Sequence, residues 1–237
     1  MNMAVSLDAD VSELLRLVPA ALRDAWGIRR CDGSARLSAL LDGVLASPQV
    51  MQRVTVSASL DAHIQHMKTE KEHIEDARLS VSLNNAEWRE DRLAAASARM
   101  GFTARRLAVP GVSAEGVQVT AEAAPFSGEN NYRCYITVNA EKAVYAPTSG
   151  LTITSSATLS ATVSGDPASG ALSLSDVSLQ LGDAARLKAR AVLSSWKEKR
   201  FEAGWSLAMD AQELLRLLPH ALKETLPVSL WQGNVHS

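Results

Sequence analysis

Apolar and polar residues alternate along most of the chain between residues 54 and 193. Because successive side chains of a strand point to opposite faces of a sheet, this period of two predicts strands that each have one apolar face. The apolar sets that define the predicted strands span 54–64, 77–83, 94–102, 132–140, 157–163, 177–181 and 185–191. Segments rich in Gly, Pro, Asn, Asp and Ser separate them at 109–111, 127–131, 147–150, 164–170 and 181–183.

The spacing of these segments predicts the topology of the sheet. Short strands joined by short turns every 8–14 residues or so are typical of an antiparallel meander, and we expect about ten to twelve strands. The charged segment from Met67 to Asp76 interrupts the pattern, and it is compatible with a helical turn or a hairpin tip. We favour the hairpin, because alternation continues on both sides of it.

One face of the predicted meander is apolar throughout, and the other carries Ser, Thr, Asp, Arg and Lys. The predicted fold class is mainly β with two short amphipathic helices, in which the long antiparallel meander forms a strongly curved, groove-like sheet. A closed barrel or a β-sandwich is the alternative, because in both of these the apolar faces meet each other. An open sheet would leave a contiguous apolar surface, which marks a binding site.

The two ends of the chain carry the same sequence pattern. Residues 6–37 and 206–237 align without a gap and are identical at 12 of 32 positions. We interpret them as an internal repeat with an offset of 200 residues, separated by the meander of residues 38–205. The whole of residues 1–237 is therefore expected to be a single β-groove segment.

Each repeat unit is predicted to contain a strand, a capped helix, a bend and a polar turn. Asp10 precedes the helix, and Glu13 follows Asp10 by three residues, which is the spacing of a capping box. Pro19 predicts a kink or a junction between two short helices, and Gly33 ends the turn. The equivalent residues of the second unit are Asp210, Glu213, Pro219 and Gly233. Because the second unit stops just past its glycine, we expect a fragment covering about one repeat period of a longer protein.

Composition narrows the class of protein. The 237 residues carry a formal net charge of −2, so no basic stripe is available to neutralise the phosphates of a nucleic acid. No run of about 18 apolar residues predicts a membrane span, and no signal peptide is visible. Cys31 and Cys134 are too few to fix a redox compartment, and a disulfide or two free thiols are both compatible with them.

Candidate chemistry is sparse. His63, His66 and His73 suggest a metal site, but we expect His63 and His66 to point to opposite faces of a strand, within a solvated charged segment. No G-x-S-x-G, G-x-G-x-x-G or phosphate-binding loop is present. We therefore predict no catalytic residues, no metal, no cofactor and no enzymatic activity.

The repeat and the strand pattern together resemble a known family. Asp210 to Leu222 followed by Gly233, and again Asp10 to Leu22 followed by Gly33, are similar to a strand-and-helix unit of the AsmA-like family of bacterial envelope proteins. This family includes the TamB-, YhdP- and YdbH-type bridge-like lipid transfer proteins. Residues 149–195, with small apolar residues and Gly-Asp turns, are similar to the strands of such proteins in texture.

The resemblance implies a periplasmic protein that is anchored in the inner membrane in its full-length form. Its apolar β-groove would bind phospholipid acyl chains and support phospholipid transport between the inner and outer membranes. The implied partners are phospholipid, flanking repeats of the same longer protein, and the membrane through elements absent from this chain. The alternative function is a structural or interaction module in outer-membrane biogenesis, with a closed core and no lipid.

The predicted groove consists of apolar residues from the alternating sets. They are Val54, Val56, Ala58, Leu60, Ile64, Leu79, Val81, Leu83, Met100, Phe102, Ile136, Val138, Leu159, Val163, Leu179, Leu187 and Ala189.

Overall fold

The computed structural model of the chain describes residues 2–17, 30–47, 50–69, 72–89, 92–125, 132–146, 152–166, 171–194, 201–217 and 234–236. Most of these residues lie in strands, and a short helix follows the first strand and the eleventh. The elements are β1 (Asn2–Asp10), α1 (Val11–Leu17), β2 (Arg30–Ser47), β3 (Val50–Lys68), β4 (His73–Arg89), β5 (Arg92–Val109), β6 (Val112–Pro125), β7 (Tyr132–Tyr145), β8 (Ile153–Asp166), β9 (Ala171–Leu181), β10 (Ala185–Leu193), β11 (Phe201–Asp210), α2 (Ala211–Leu217) and β12 (Asn234–His236).

Every strand pairs antiparallel with the next strand along the chain, so the sheet is a twelve-stranded meander in the order β1 to β12. This confirms the predicted fold class. All described strands belong to this one sheet, and β1 pairs only with β2 within the described residues, so the alternative of a closed barrel or a sandwich is wrong. The hairpin predicted near residues 67–76 is confirmed, because Lys68 pairs with His73 at the ends of β3 and β4.

Strand pairing brings most apolar residues of the long strands to one side of the sheet, which we call the apolar face; the other side is the polar face. Two apolar rows cross the sheet without a break. The central apolar row runs through Ala9, Ala35, Ala62, Leu79, Phe102, Val119, Val138, Leu159, Leu179, Leu187 and Leu207. The second apolar row runs through Val5, Ala39, Ala58, Leu83, Ala98, Ala123, Cys134, Val163, Leu174, Ala191 and Ala203.

A line of irregular positions, which we call the crease, crosses β3 to β7. In each of these strands, one residue at the same level of the sheet is left out of the pairing between neighbouring strands. Asp76 and Gly116, at this level, have positive φ angles of 47° and 61°. The residues passed over face each other on neighbouring strands, so the register is the same on both sides of the crease, and the spacing of apolar residues lengthens from two to three there. The residues of the crease are Gln65, Asp76, Arg105, Gly116 and Glu141.

The core of the protein lies along the crease. Ala77, Ala104 and Val117 are directly paired neighbours on the apolar face, and they expose 1%, 3% and 5% of their surface. A single-layer sheet can cover such small side chains only where the larger side chains around them lean toward one another. The apolar face is therefore concave at the crease. The side chains that pack around this cluster are Ile64, Ile74, Phe102, Leu107, Ala114, Val119 and Ala140.

Away from the crease the sheet remains open to solvent. No large side chain among the described residues is fully buried. The accessible surface is 15923 Å², whereas a compact monomer of this mass is expected to expose about 10,000 Å². A single curved layer without a covering layer accounts for this excess.

The two repeat units share one strand register. Asp10 pairs with Ser34 at the start of the β1–β2 pair, and Asp210 pairs with Asn234 at the start of the β11–β12 pair. The offset of 200 residues therefore holds for strand pairing as well as for sequence. It makes β11 the equivalent of β1, and β12 the equivalent of the Ser34–Arg36 part of β2.

The predicted helix caps are confirmed, but the capping box is not. The backbone N–H of Ser12 donates to Asp10 Oδ1 at 2.7 Å, and that of Gln212 donates to Asp210 Oδ1 at 2.9 Å. Glu213 was predicted to accept from the Asp210 N–H, and this is wrong. That N–H donates instead to the carbonyl of Ala184 at 2.9 Å, and Glu213 pairs with Arg216.

The prediction that Gly33 ends a polar turn is also wrong, because this glycine lies inside β2. Its backbone comes so close to β3 that an added Cβ would lie 2.1 Å from the His63 carbonyl oxygen. Gly33 lies where β2 and β3 approach closely at a register shift, and in the sequence this glycine was interpreted as a turn residue. Pro19, Pro219, Gly233 and the turns predicted at 127–131 and 147–150 lie outside the described residues.

Candidate functional site

The apolar face is the candidate functional site, and all seventeen residues predicted for the groove lie on it. The strand pairs join them into neighbouring rows rather than separate patches. Leu79 pairs with Phe102, Val138 with Leu159, and Leu179 with Leu187. The alternation of apolar residues along each predicted strand is what made these residues identifiable from the sequence.

The predicted groove left out the parts of this face that β2 and β6 contribute, and also those of β1 and β11, although a strand with one apolar face was predicted at each of these two. Leu37 and Ala39 of β2 and Val119 and Ala121 of β6 lie in the same rows as the predicted residues. The same period-two signal is present in both strands. It was overlooked because β2 follows a helical segment and because Gly116 interrupts the alternation of β6.

The central apolar row gives the site its length. It crosses eleven strands, so at about 4.8 Å between neighbouring strands it extends over roughly 50 Å. Neither a charged nor a polar side chain interrupts it. The row therefore offers apolar contacts along its whole length, with no single preferred position.

Access to this surface is greatest at the two edges of the sheet. Val5 and Leu7 on β1 are exposed, as are Phe201 and Trp205 on β11. In the middle of the sheet the residues of the rows are half-buried, because their neighbours on adjacent strands flank them. The apolar face is therefore a trough whose floor is partly shielded and whose two ends are open.

The polar face carries exposed ion pairs between neighbouring strands. The Arg36 guanidinium donates to Asp8 at 2.6 Å, Arg99 pairs with Glu122 at 2.9 Å, and Lys142 lies 3.4 Å from Glu115. The bond to Asp8 raises the pKa of Arg36 above its ordinary value. Exposed pairs of this type contribute little stability and keep a surface hydrated. The polar face is thus the solvent side of the sheet.

Histidine and carboxylate groups meet at the crease. His63 Nε2 lies 2.9 Å from Asp76 Oδ1, and His73 Nε2 lies 2.7 Å from Glu75 Oε1. These hydrogen bonds lower the pKa of both carboxyl groups below their ordinary values. Arg105 also donates to Glu75 at 3.1 Å. Each of these acidic groups therefore has a cationic or hydrogen-bonding neighbour.

The expectation that His63 and His66 point to opposite faces is wrong. Gln65, at the crease, is left out of the strand pairing. Ile64 and Met67 therefore both lie on the apolar face, and His63 and His66 both lie on the polar face. No group of three or more His, Cys, Asp or Glu side chains suited to a metal ion occurs among the residues that the structure describes.

A shallow cavity of about 970 Å³ lies on the polar face where β1 to β5 meet α1. Its lining includes the short side chains of Ser34 and Ser80 and the longer side chains of Arg36 and Arg78. Acidic and basic groups line it together. Their mixed charge gives no preference for an anion or a cation.

Both cysteines are free. Cys31 is buried, and desolvation raises its pKa, so its thiol stays protonated and unreactive at neutral pH. Cys134 belongs to the second apolar row, between Ala123 and Val163. It serves as a small apolar residue there.

No family model matches the sequence, and searches of curated proteins and of solved structures find no significant match. Among the described helices, none has the length and apolar character needed to cross a bilayer.

Proposed function

We propose that this chain binds phospholipid acyl chains along its concave apolar face and supports phospholipid transport between the inner and outer membranes. The observation that carries the proposal is the unbroken central apolar row, from Ala9 on β1 to Leu207 on β11. In this account the chain is a segment of a periplasmic AsmA-like protein and has no enzymatic activity.

The physics of the trough suits a lipid. Burial of an acyl chain is worth about 0.8 kcal/mol per CH₂ group, and a row of roughly 50 Å is longer than one such chain. The headgroup remains in water at the open side of the trough, so the protein needs no polar pocket for it. An unbroken row lets a lipid move along the trough without crossing a charged position.

The alternative function is a structural or interaction module with a closed core and no lipid. The open sheet argues against the closed core, because a filled interior needs a second layer or a closed barrel to cover the apolar face. Interaction through the sheet edges does not require a closed core, and it is compatible with lipid binding.

The proposal is tested by placing two charges in the trough. Leu159 and Leu187 lie in the central apolar row, and Leu179 of the intervening strand separates them. The double variant Leu159→Asp with Leu187→Asp should lose the phospholipid that the wild-type chain retains after incubation with phosphatidylethanolamine–phosphatidylglycerol vesicles and repurification. A buried unpaired charge is costly in a lipid-filled trough but not in one open to water.

A matched control adds the same charge to the other face. Ser160 follows Leu159 directly in the chain and Ser206 precedes Leu207, and both lie on the polar face. The double variant Ser160→Asp with Ser206→Asp should keep its lipid. Equal lipid content in the two variants, with both folded by circular dichroism, would refute binding along the apolar face.

A further inference from the structure

The polar face of β10 carries three cationic side chains in a row, and lipid binding in the trough does not explain them. Arg186, Lys188 and Arg190 alternate with the apolar residues of the strand, such as Leu187, and all three are exposed. At about 3.4 Å per residue, neighbouring cations lie roughly 7 Å apart along the strand. We call these three residues the cationic strip. The net charge of −2 does not reveal it, because that sum covers the whole chain.

The residues that face the cationic strip from the neighbouring strands carry no charge. Lys188 pairs with Ser178 of β9 and with Ser206 of β11, and Arg190 pairs with Gly204 of β11. The strip therefore lies between two strands that present small, neutral groups to it. The cationic groups extend beyond these short neighbours on the polar face.

Other cations of the polar face meet a carboxylate on the next strand. Arg99, for example, pairs with Glu122 at 2.9 Å. Within the part of the chain that the structure describes, Lys188 and Arg190 form no ion pair and no side-chain hydrogen bond. These two side chains are thus available to an anion from outside the chain.

A cavity of about 790 Å³ lies beside Lys188 and Arg190. Gly204 helps to keep it open, because a Cβ built there would lie 3.5 Å from Arg190 Nε, in contact with the arginine side chain. The hydroxyl groups that complete its lining belong to Ser175, Ser178 and Ser206. The cavity therefore offers two cations and several hydroxyl donors to one ligand.

One carboxylate also lines the cavity. Asp176 lies at the bulge of β9, and its Oδ2 accepts from the Ser175 hydroxyl at 3.3 Å. Two positive charges in the lining still exceed this one negative charge. Arg186, which donates to the neutral Gln180 side chain at 3.0 Å, adds a further positive charge on the same strand. The net charge of this region favours an anion.

The number of donors distinguishes between anions. A carboxylate has one negative charge and two oxygens, which a single arginine can satisfy. A phosphate monoester has a charge of about −1.5 to −2 at neutral pH and three acceptor oxygens. Two cations and several hydroxyl groups match the monoester better. A nucleic acid forms about six to ten phosphate contacts with a binding protein, more than three cations provide.

We propose that Lys188, Arg190 and the hydroxyl groups around them form a binding site for a phosphate monoester on the polar face. A soluble phosphate ester and a lipid headgroup that ends in a phosphate present the same group, and the test separates these two sources. The site lies on the opposite side of the sheet from the trough, so it stands whether or not the trough holds lipid.

The test titrates the ¹⁵N-labelled chain with glycerol 3-phosphate and follows the backbone amide signals of β10 and β11 by NMR. The double variant Lys188→Ser with Arg190→Ser should bind at least tenfold more weakly than the wild type. The matched control is Arg99→Ser with Lys142→Ser, which removes the same two charges from cations that already face a carboxylate. This control should keep the wild-type affinity, and the spectra show whether each variant is folded.

A second ligand and a third variant check the chemistry of the site. Dimethyl phosphate is a diester with a single charge, and it should bind several-fold more weakly than glycerol 3-phosphate. Asp176→Asn removes the carboxylate of the lining and should tighten binding of glycerol 3-phosphate several-fold. Equal affinity for the two ligands, or weaker binding by Asp176→Asn, would overturn the proposal.

Vesicles separate the two sources of the monoester. Phosphatidylcholine vesicles that contain phosphatidic acid present a monoester, and those that contain phosphatidylglycerol present a diester. Binding of glycerol 3-phosphate in solution supports the site with a soluble ligand. Sedimentation with phosphatidic acid vesicles alone, lost in the Lys188→Ser, Arg190→Ser variant and kept in the control, supports it with a lipid headgroup. The proposal is overturned if neither probe binds, or if both double variants lose binding equally.

Discussion

Small side chains at the crease allow the sheet to bend. Ala77 exposes 1% of its surface because side chains from both sides of the crease pack over it. Replacing Ala77 with Leu should lower the free energy of unfolding by about 1–3 kcal/mol, because the added atoms have no space. Urea unfolding measures this change. Arg78→Leu, on the exposed polar face, is the control and should change it by no more than about 0.5 kcal/mol. Equal values for the two variants would contradict a concave apolar face.

The backbone at the crease gives a second prediction at this scale. Gly116 has a φ of 61°, and a Cβ built there would lie 2.5 Å from the Glu141 side chain. Gly116→Ala should destabilise the chain by about 1 kcal/mol or more. Gly101 is the matched control, because its Cβ would meet only the hydroxyl of Ser80, which can rotate away. Thermal unfolding that shows the same loss for Gly101→Ala would contradict this account of the crease.

Asp10 makes the start of α1 sensitive to pH. Hydrogen bonds from the side chain and the backbone N–H of Ser12 lower the Asp10 pKa below its ordinary value of 3.8. A carboxyl group whose pKa is lowered on folding contributes stability above its unfolded pKa and loses that contribution as the pH falls through its folded pKa. The stability difference between the wild type and Asp10→Asn should therefore be constant from neutral pH down to about 4 and shrink below it. A difference that grows on acidification would contradict this assignment.

At the residue scale, sequence alone revealed the caps but not the crease. Asp10 and Asp210 were recognisable because an acid followed by a leucine-rich helical stretch is a strong local signal. The crease depends on several strands that pass over a residue at the same level, which no single strand reveals. In the sequence, the crease corresponds to a spacing of three between apolar residues of one strand, as in Ile64 and Met67.

The strand-and-helix unit is the element that occurs twice in the chain. Asp210 Oδ1 accepts from the backbone N–H groups of Gln212 at 2.9 Å and Glu213 at 3.2 Å. Asp210→Ala should cost about 1 kcal/mol, because it leaves two N–H groups at the start of α2 without this acceptor. Asp210→Asn keeps a side-chain oxygen and should restore most of the loss in a denaturation experiment. Equal losses in both variants would mean that the charge, and not the cap, stabilises α2.

Strand existence was predictable at this scale, and strand register was not. Period-two alternation located β3, β4, β5, β7, β8, β9 and β10 because one apolar face per strand is a local property. Register depends on which residues of two strands meet, and the bulges at Asp176 and Asn85 shift it. Side-chain identity at these positions is compatible with a loop as well as with a bulge.

At the scale of the whole molecule, the account depends on one unbroken apolar surface in a single open layer. The sequence predicted this surface, because apolar residues recur at every second position of most strands. It did not decide between an open and a closed sheet, since a barrel and a trough have the same alternation. Strand pairing decides this, because β1 and β12 remain separate edges of the described sheet.

The most direct test of the central claim is to map lipid contacts along the trough. A photo-reactive amino acid replaces one residue of the central apolar row at a time, at Ala62, Phe102, Val138 and Leu187, and each purified variant is irradiated with phospholipid vesicles. Their chain neighbours Asp61, Thr103, Thr137 and Lys188 on the polar face are the controls. We expect cross-linked phospholipid, detected by mass spectrometry, at all four positions of the row and at none of the controls. Cross-links at neither set, or equally at both, would contradict a lipid trough.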